Sequence, residues 1–211
     1  VLRQLEEAGR TPRIPVVIDS PMANRVSEVY CHHLEDLDHE MRQAMDHKKC
    51  PLCCQQYELC TTRDESKALN DRRGPMIVIA GSGMATGGRI LHHLARRLPM
   101  PRTTVLLVGY QAQGTRGRLL QDGVRELRMH GRAIPVAAQV RTIHGLSAHA
   151  DGQEMLRWLG SLKKPPTMTY LVHGEPRPAG ALASLIEERL GWPTHVASDG
   201  ESVRLGKAQE R

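Results

Sequence analysis

Apolar and polar positions along the 211-residue chain follow two alternating periods. Short apolar runs recur at Ile14–Ile18, Met76–Ala80, Thr104–Gly109 and Met168–Val172, and each stops at a turn-forming or glycine-containing stretch. Runs of that length, bounded by turn residues, predict buried strands. Between them the apolar residues fall three and four positions apart, the spacing of an amphipathic helix. Val1–Ala8 reads as a helix tail closed by Gly9. Val26, Val29, Tyr30, Leu34, Leu37, Met41 and Met45 predict one long helix from Asn24 to about Asp46, with an acidic opposite face. Shorter helices are expected at Asp64–Asn70, with Asp64 as the cap, at Arg89–Leu98, and ending at Gln121.

Strand, loop and helix alternate as far as Gly123, which argues for a doubly wound parallel sheet. The pattern then changes. Val124–Met129 and Ile134–Ile143, joined across His130-Gly131-Arg132, predict a hairpin and a crossing into a second domain. A helix (Gly152–Leu162), a strand (Met168–Val172), a helix (Ala179–Leu190) and a closing pair at Thr194–Ala197 and Ser202–Leu205 complete it. The expected division is 1–123 and 124–211. No apolar run has the length of a membrane span. The amino-terminal VLRQLEEAGR is no signal peptide and predicts a start in mid-domain.

Phe is absent and aromatics make up only 3%, so the core must come from Leu, Val, Ile, Met and Ala. The five cysteines, Cys31, Cys50, Cys53, Cys54 and Cys60, are odd in number and close together. That speaks against a disulfide framework and for a reducing, cytoplasmic setting. Cys50 and Cys53 form a CxxC that His47 or Cys60 would have to complete as a zinc site; free thiols in a loop are the alternative. The net charge of +6 is concentrated in one place. From Arg89 to Arg132 nine arginines face only Asp122 and Glu126, a balance of +7, which leaves −1 for the rest. A basic helix face in solvent would look like this; so would a polyanion-binding surface.

Two glycine-rich loops flank or lie within that segment. Gly81–Gly88 contains Gly83 and Gly87 with the hydroxyls of Ser82 and Thr86, between a strand and a helix. Glycines admit a ligand close to the backbone, and free N–H groups bind anions. Its GxGxxxG spacing fits neither the dinucleotide fingerprint nor a P-loop, so a polymer phosphate is the better ligand; a tight turn needing small residues is the bland alternative. Tyr110–Gly117, after the neighbouring strand, carries Arg116 and should open on the same edge. Asp19, in Asp-Ser-Pro, reads as a structural turn residue. Two histidine motifs follow apolar runs, IHGLSAHAD (Ile143–Asp151) and LVHGE (Leu171–Glu175). Imidazoles at strand ends can ligate metal or move a proton near neutral pH, which makes His149 and His173 candidates for one site.

Those two motifs resemble the last blocks of the metallo-β-lactamase-fold nucleases that carry a β-CASP insertion. The family includes bacterial and archaeal RNA-processing hydrolases and the endonuclease of eukaryotic pre-mRNA 3′-end formation. VVIDSPMA (Val16–Ala23), ESKALN (Glu65–Asn70), AGSGMATGGRILHHL (Ala80–Leu94) and VLLVGYQAQGTRGRLL (Val105–Leu120) resemble its β-CASP domain in the same order. The resemblance implies an α/β fold: a doubly wound parallel β-CASP sheet, then the closing part of a metallo-β-lactamase domain. It implies zinc-dependent hydrolysis of single-stranded RNA with two zinc ions in the complete enzyme. His173 would be a metal ligand, Glu175 its orienting partner and His149 a donor at the scissile phosphate. Asp151 would fix the His149 tautomer, and Ser147 would touch phosphate. The HxHxDH block that supplies most zinc ligands is absent, so this chain alone is expected to be inactive. A non-catalytic RNA-binding or scaffold subunit and a small-molecule metallo-hydrolase are the alternatives. No membrane partner is implied, and a homo-oligomer stays open.

Overall fold

The computed structural model describes residues 1–39, 42 and 54–204. The fold is α/β with parallel pairing between its long-range strand partners. By contacts the chain divides into two compact units, Val1–Leu146 and from Ser147 onward.

In the first unit, helix α1 (Leu2–Glu7) leads to strand β1 (Val16–Asp19), all four of whose residues are buried. β1 is the centre of a three-stranded parallel sheet, between β2 (Tyr57–Leu59) and β3 (Ile77–Ala80). Its side chains alternate between two small cores, as the strand period demands. Val16 and Ile18 pack with Cys54, and Val17 packs with Cys60 and Leu69. Helix α2 (Pro21–His32) begins at Ser20, whose Oγ accepts from Ala23 N, with Pro21 in the first turn. It ends at His33 and is followed by a 3₁₀ turn at Leu34–Asp36, so the expected run to Asp46 is not continuous. Val26, Val29 and Tyr30, expected to face a core, are exposed. Leu37 is half-buried. Met41 and Met45 lie outside the described residues, as do Cys50, Cys53 and His47. Helix α3 (Arg63–Ala68) is capped by Thr62, not Asp64: Thr62 Oγ1 accepts from Glu65 N while Glu65 reaches back to Thr62 N. Such a reciprocal cap satisfies two orphan amides at once.

Helix α4 (Ile90–Arg97), strand β4 (Thr104–Leu107) and helix α5 (Arg116–Gln121) follow. The predicted hairpin forms from β5 (Glu126–Met129) and β6 (Arg132–Pro135). The apolar run continuing to Ile143 does not stay one strand. Ala137 N and Ala138 N both donate to Leu98 O at the end of α4, and this detour breaks the ladder. β7 (Gln139–Thr142) then pairs in parallel with β4, Thr104 opposite Gln139. Leu98, Leu120, Leu127 and Met129, each at most 1% exposed, form the largest core with Leu94 and Ala85. Full burial of one such side chain is worth about 1.5–3 kcal/mol. The hairpin thereby belongs to the first unit's core.

In the second unit, α6 (Gly152–Leu159), β8 (Thr169–Leu171), α7 (Pro176–Leu190) and β9 (Thr194–Val196) pack around Leu156, Ile186 and Trp192. β8 and β9 are parallel, and α7 ends at Gly191 in the left-handed conformation that stops a helix without a Cβ penalty. No strand forms at 202–204.

Candidate functional site

The Gly81–Gly88 loop joins β3 to α4, and its backbone is polarised. Gly81 O accepts from Ile90 N, Ser82 O from Ala85 N, Met84 O from Gly117 N and Gly88 O from Leu91 N. Gly83 O accepts from Gln111 Nε2 at 3.1 Å, and Thr86 O from Arg116 Nη1 at 3.4 Å. By contrast, the amides of Gly83, Met84, Thr86, Gly87 and Gly88 donate to no group among the described residues. Six of the eight loop carbonyls are bonded, those of Ala85 and Gly87 accepting nothing among the described residues, while most of the amides are left over. Neighbouring unpaired N–H groups form an anion-binding concavity. The first amides of α4 are taken up locally: Ile90 N donates to Gly81 O, Leu91 N to Gly88 O and His92 N to Arg89 O. Ser82 and Thr86 bring their hydroxyls to 3.0 Å of each other on this loop. Gly88, at φ +75, lies where a Cβ would stand 2.9 Å from Gly81 O. Only glycine closes the loop there.

The Tyr110–Gly117 loop, which follows β4, meets the first one directly. Gln111, 2% exposed, spans the two by donating to both Gly83 O and Gly109 O. Thr115 caps α5, and a Cβ at Gly117 would overlap Gln111 Oε1. Arg116 serves mainly as a clip: its guanidinium reaches Thr86 O and Arg128 O.

Behind the loop lies a polar cluster. Asp19, fully buried, accepts from Ser66 Oγ, Arg89 Nη1 and His93 Nε2, each at 2.6 Å. Burial pushes the Asp19 carboxyl up, but the Ser66, His93 and Arg89 hydrogen bonds outweigh it and hold it below the usual carboxylate range. Arg89 also donates to Cys60 O and Thr61 O. The residue directly after Gly88 is therefore fixed to the ends of β1 and β2. His93 is 3% exposed and belongs to this cluster. A signal was present in the sequence: Arg89 and His93 are four apart on one helix face, opposite an acidic residue ending a strand.

The arginine surplus is smaller in space than in sequence. Arg89 is paired with Asp19, Arg97 donates to Leu69 O, and Arg118 is paired with Asp122. Arg96, Arg102, Arg125, Arg128 and Arg132 remain exposed in the same segment.

In the second unit, His173 follows β8 with φ +61, a left-handed backbone that a non-glycine residue seldom adopts. Such outliers cluster at functional positions. Glu175 stands at the amino-terminal cap of α7. Ser147 Oγ accepts from His149 N at 3.2 Å, shaping the loop that presents the exposed imidazole. Asp151 is a helix cap: Oδ1 accepts from Glu154 N at 2.8 Å, and Glu154 returns a bond from Asp151 N. Among the described residues no hydrogen bond joins Asp151 to His149, or His149 to His173.

Comparison with known proteins gives two family matches. Residues 1–120 match the Beta-Casp domain, and residues 133–197 match the Zn-dependent metallo-hydrolase RNA specificity domain. The chain belongs to the β-CASP family. It is 39% identical over 194 residues to the protein named ribonuclease TTHA0252 of Thermus thermophilus, covering 92% of this chain and 44% of that one. It is 31% identical to the transcription termination factor FttA of Pyrococcus abyssi, covering 97% of this chain and 33% of that one. An RNase J-like protein of Methanocaldococcus jannaschii is 28% identical over 200 residues. The β-CASP chain thus spans less than half the length of these relatives.

Membership raises the question of zinc. A catalytic zinc takes three protein ligands. Among the described residues, the one group of three or more His, Cys, Asp or Glu donors within 4.8 Å of one another is His33, Glu35 and Asp36, all exposed. His173 belongs to no such set, so these residues do not fit a zinc centre there. Cys54 and Cys60 are free thiols in separate cores, and burial raises both out of the reactive range. No helix among the described residues is long and apolar enough to cross a membrane.

Proposed function

We propose that this chain is the RNA-holding part of a β-CASP RNA phosphodiesterase, with the Gly81–Gly88 loop as the seat of a backbone phosphate. The observation that carries this is the loop's polarity, with six of its eight carbonyls bonded and the amides of Gly83, Met84, Thr86, Gly87 and Gly88 without a partner among the described residues. Phosphate oxygens accept from such amides whatever the base sequence. Ser82 and Thr86 add hydroxyl donors, and the exposed arginines add attraction at longer range. The names of the relatives support an RNA ligand, as does the RNA specificity domain match. Single-stranded RNA is the proposed form.

In the whole protein the proposed activity is zinc-dependent hydrolysis of RNA. His149 would donate to a phosphate or leaving oxygen from the loop that Ser147 shapes. His173, beside Gly174 and Glu175, would serve as a ligand only in company that the described residues do not supply. The chain by itself is therefore proposed to bind RNA without cutting it. The β-CASP strands before residue 123 would belong to one doubly wound parallel sheet, in a reducing, cytoplasmic setting.

The experiment is equilibrium binding of labelled single-stranded RNA to the chain across a salt series. Affinity should fall log-linearly, with a slope of about −0.7 per neutralised phosphate. Arg116→Glu should weaken binding for every RNA sequence tried, because it removes a charge and releases Thr86 O. A salt-independent affinity would point to the small-molecule alternative.

A further inference from the structure

A groove of about 420 Å³ opens between α4 and the β5–β6 hairpin, apart from the Gly81–Gly88 loop and sharing no residue with it. That volume is ordinary for a small-molecule site. His92 and Arg96 line it from the helix, and His130 and Arg132 from the hairpin. Met129 and Ile134 supply the apolar lining. No carboxylate lines it among the described residues. The rings of His92 and His130 are stacked, with centroids 4.7 Å apart and planes 17° from parallel.

The turn that places His130 is the telling feature. His130 and Gly131 have φ of +49 and +73, so both central positions of this two-residue hairpin turn are left-handed. Asn-Gly is the usual pair there, since a larger first residue costs backbone energy. His130 in that conformation sets its ring against His92. A second observation comes from Asn70, which also lines the groove. Its side-chain oxygen is buried and has no hydrogen-bond partner. Buried acceptors are normally satisfied, so a ligand bringing an N–H or O–H would complete it.

We propose that this groove binds one nucleotide, with its phosphate held by Arg96 and Arg132 and its base by the paired imidazoles. Guanidinium groups match phosphate oxygens in a planar fork. Flat imidazole faces stack on bases with little regard to sequence. Asn70 accepts from a sugar hydroxyl or a base amine. The nucleotide is either free or one residue of an RNA strand. The inference does not rest on the reading of the Gly81–Gly88 loop.

The test titrates adenosine monophosphate, inorganic phosphate and a short single-stranded RNA separately into the chain. Ring proton resonances of His92 and His130 are followed by NMR, assigned through His92→Ala and His130→Gly. Both nucleotide-bearing ligands should move both rings, and phosphate alone should bind at least about tenfold more weakly. His130→Gly should melt at or above the parent, because glycine suits the left-handed turn. It should nonetheless weaken nucleotide binding about ten- to hundred-fold. Arg132→Glu should do the same. A strand that binds more tightly than the mononucleotide assigns the groove to RNA; equal affinity assigns it to free nucleotide. Rings that do not move, phosphate binding as well as the nucleotide, or unchanged affinity in His130→Gly would each overturn the proposal.

Discussion

Asp19 gathers donors from α3 and from the cap and first turn of α4 onto one buried carboxylate. Removing its charge leaves the Arg89 guanidinium, 19% exposed, facing an uncharged partner. Asp19→Asn should therefore cost about 3–5 kcal/mol at pH 7, the range for breaking a buried pair on one side. The pH dependence follows from the lowered folded-state pKa. A depressed carboxyl contributes stability above its unfolded value of roughly 3.9, and loses it as pH falls through the folded value. Denaturant unfolding should show the gap between parent and variant wide at pH 7 and narrowing below about pH 4. Equal stability at pH 7 would contradict the cluster. This residue was legible in part. Asp-Ser-Pro announces a structural turn, but its partners Ser66, Arg89 and His93 lie 47, 70 and 74 positions away in sequence. No local period encodes a contact that only folding creates.

Among the elements, the two loops behave as one device. Gly117 and Gly83 separate packing from approach. A Cβ on Gly117 would overlap Gln111 Oε1 and press on Met84 O, whereas a Cβ on Gly83 meets nothing within 4 Å. Gly117→Ala should lower the melting temperature and RNA affinity together, through a steric cost of about 1–3 kcal/mol. Gly83→Ala should melt like the parent, within about 0.5 kcal/mol, and lose affinity only by crowding the ligand. Thermal melts and RNA titrations of both variants distinguish the cases. The strands and the two loops could be read from the chain because their signals are local: apolar runs, then glycines. The 134–143 run could not. Its break comes from Leu98 O, which draws Ala137 and Ala138 out of the ladder. The long-helix reading from Asn24 failed for a related reason. Val26, Val29 and Tyr30 have helical spacing, yet the helix stops at His33 and leaves them exposed. Periodicity reports a face, not what covers it.

For the whole molecule, the zinc question has a direct measurement. Because His173 stands outside any three-donor set among the described residues, the dialysed chain should hold well under one zinc and should not cleave RNA. Stoichiometric zinc lost in His173→Ala, together with turnover, would contradict this. The histidine motifs were legible as motifs, and their roles were not. Asp151 turned out to be engaged as a helix cap, which Asp followed three residues later by Glu154 also encodes. Backbone direction was likewise invisible in the sequence: glycines at 81–88 announce a loop, but not that its amides are the groups left over. That polarity is the central claim, and amide resonances test it directly. Isotope-labelled chain is titrated with single-stranded RNA at low salt. The largest shifts should fall on Gly83, Met84, Thr86, Gly87 and Gly88, and added salt should reverse them. RNA that binds while those five amides stay in place would contradict the account.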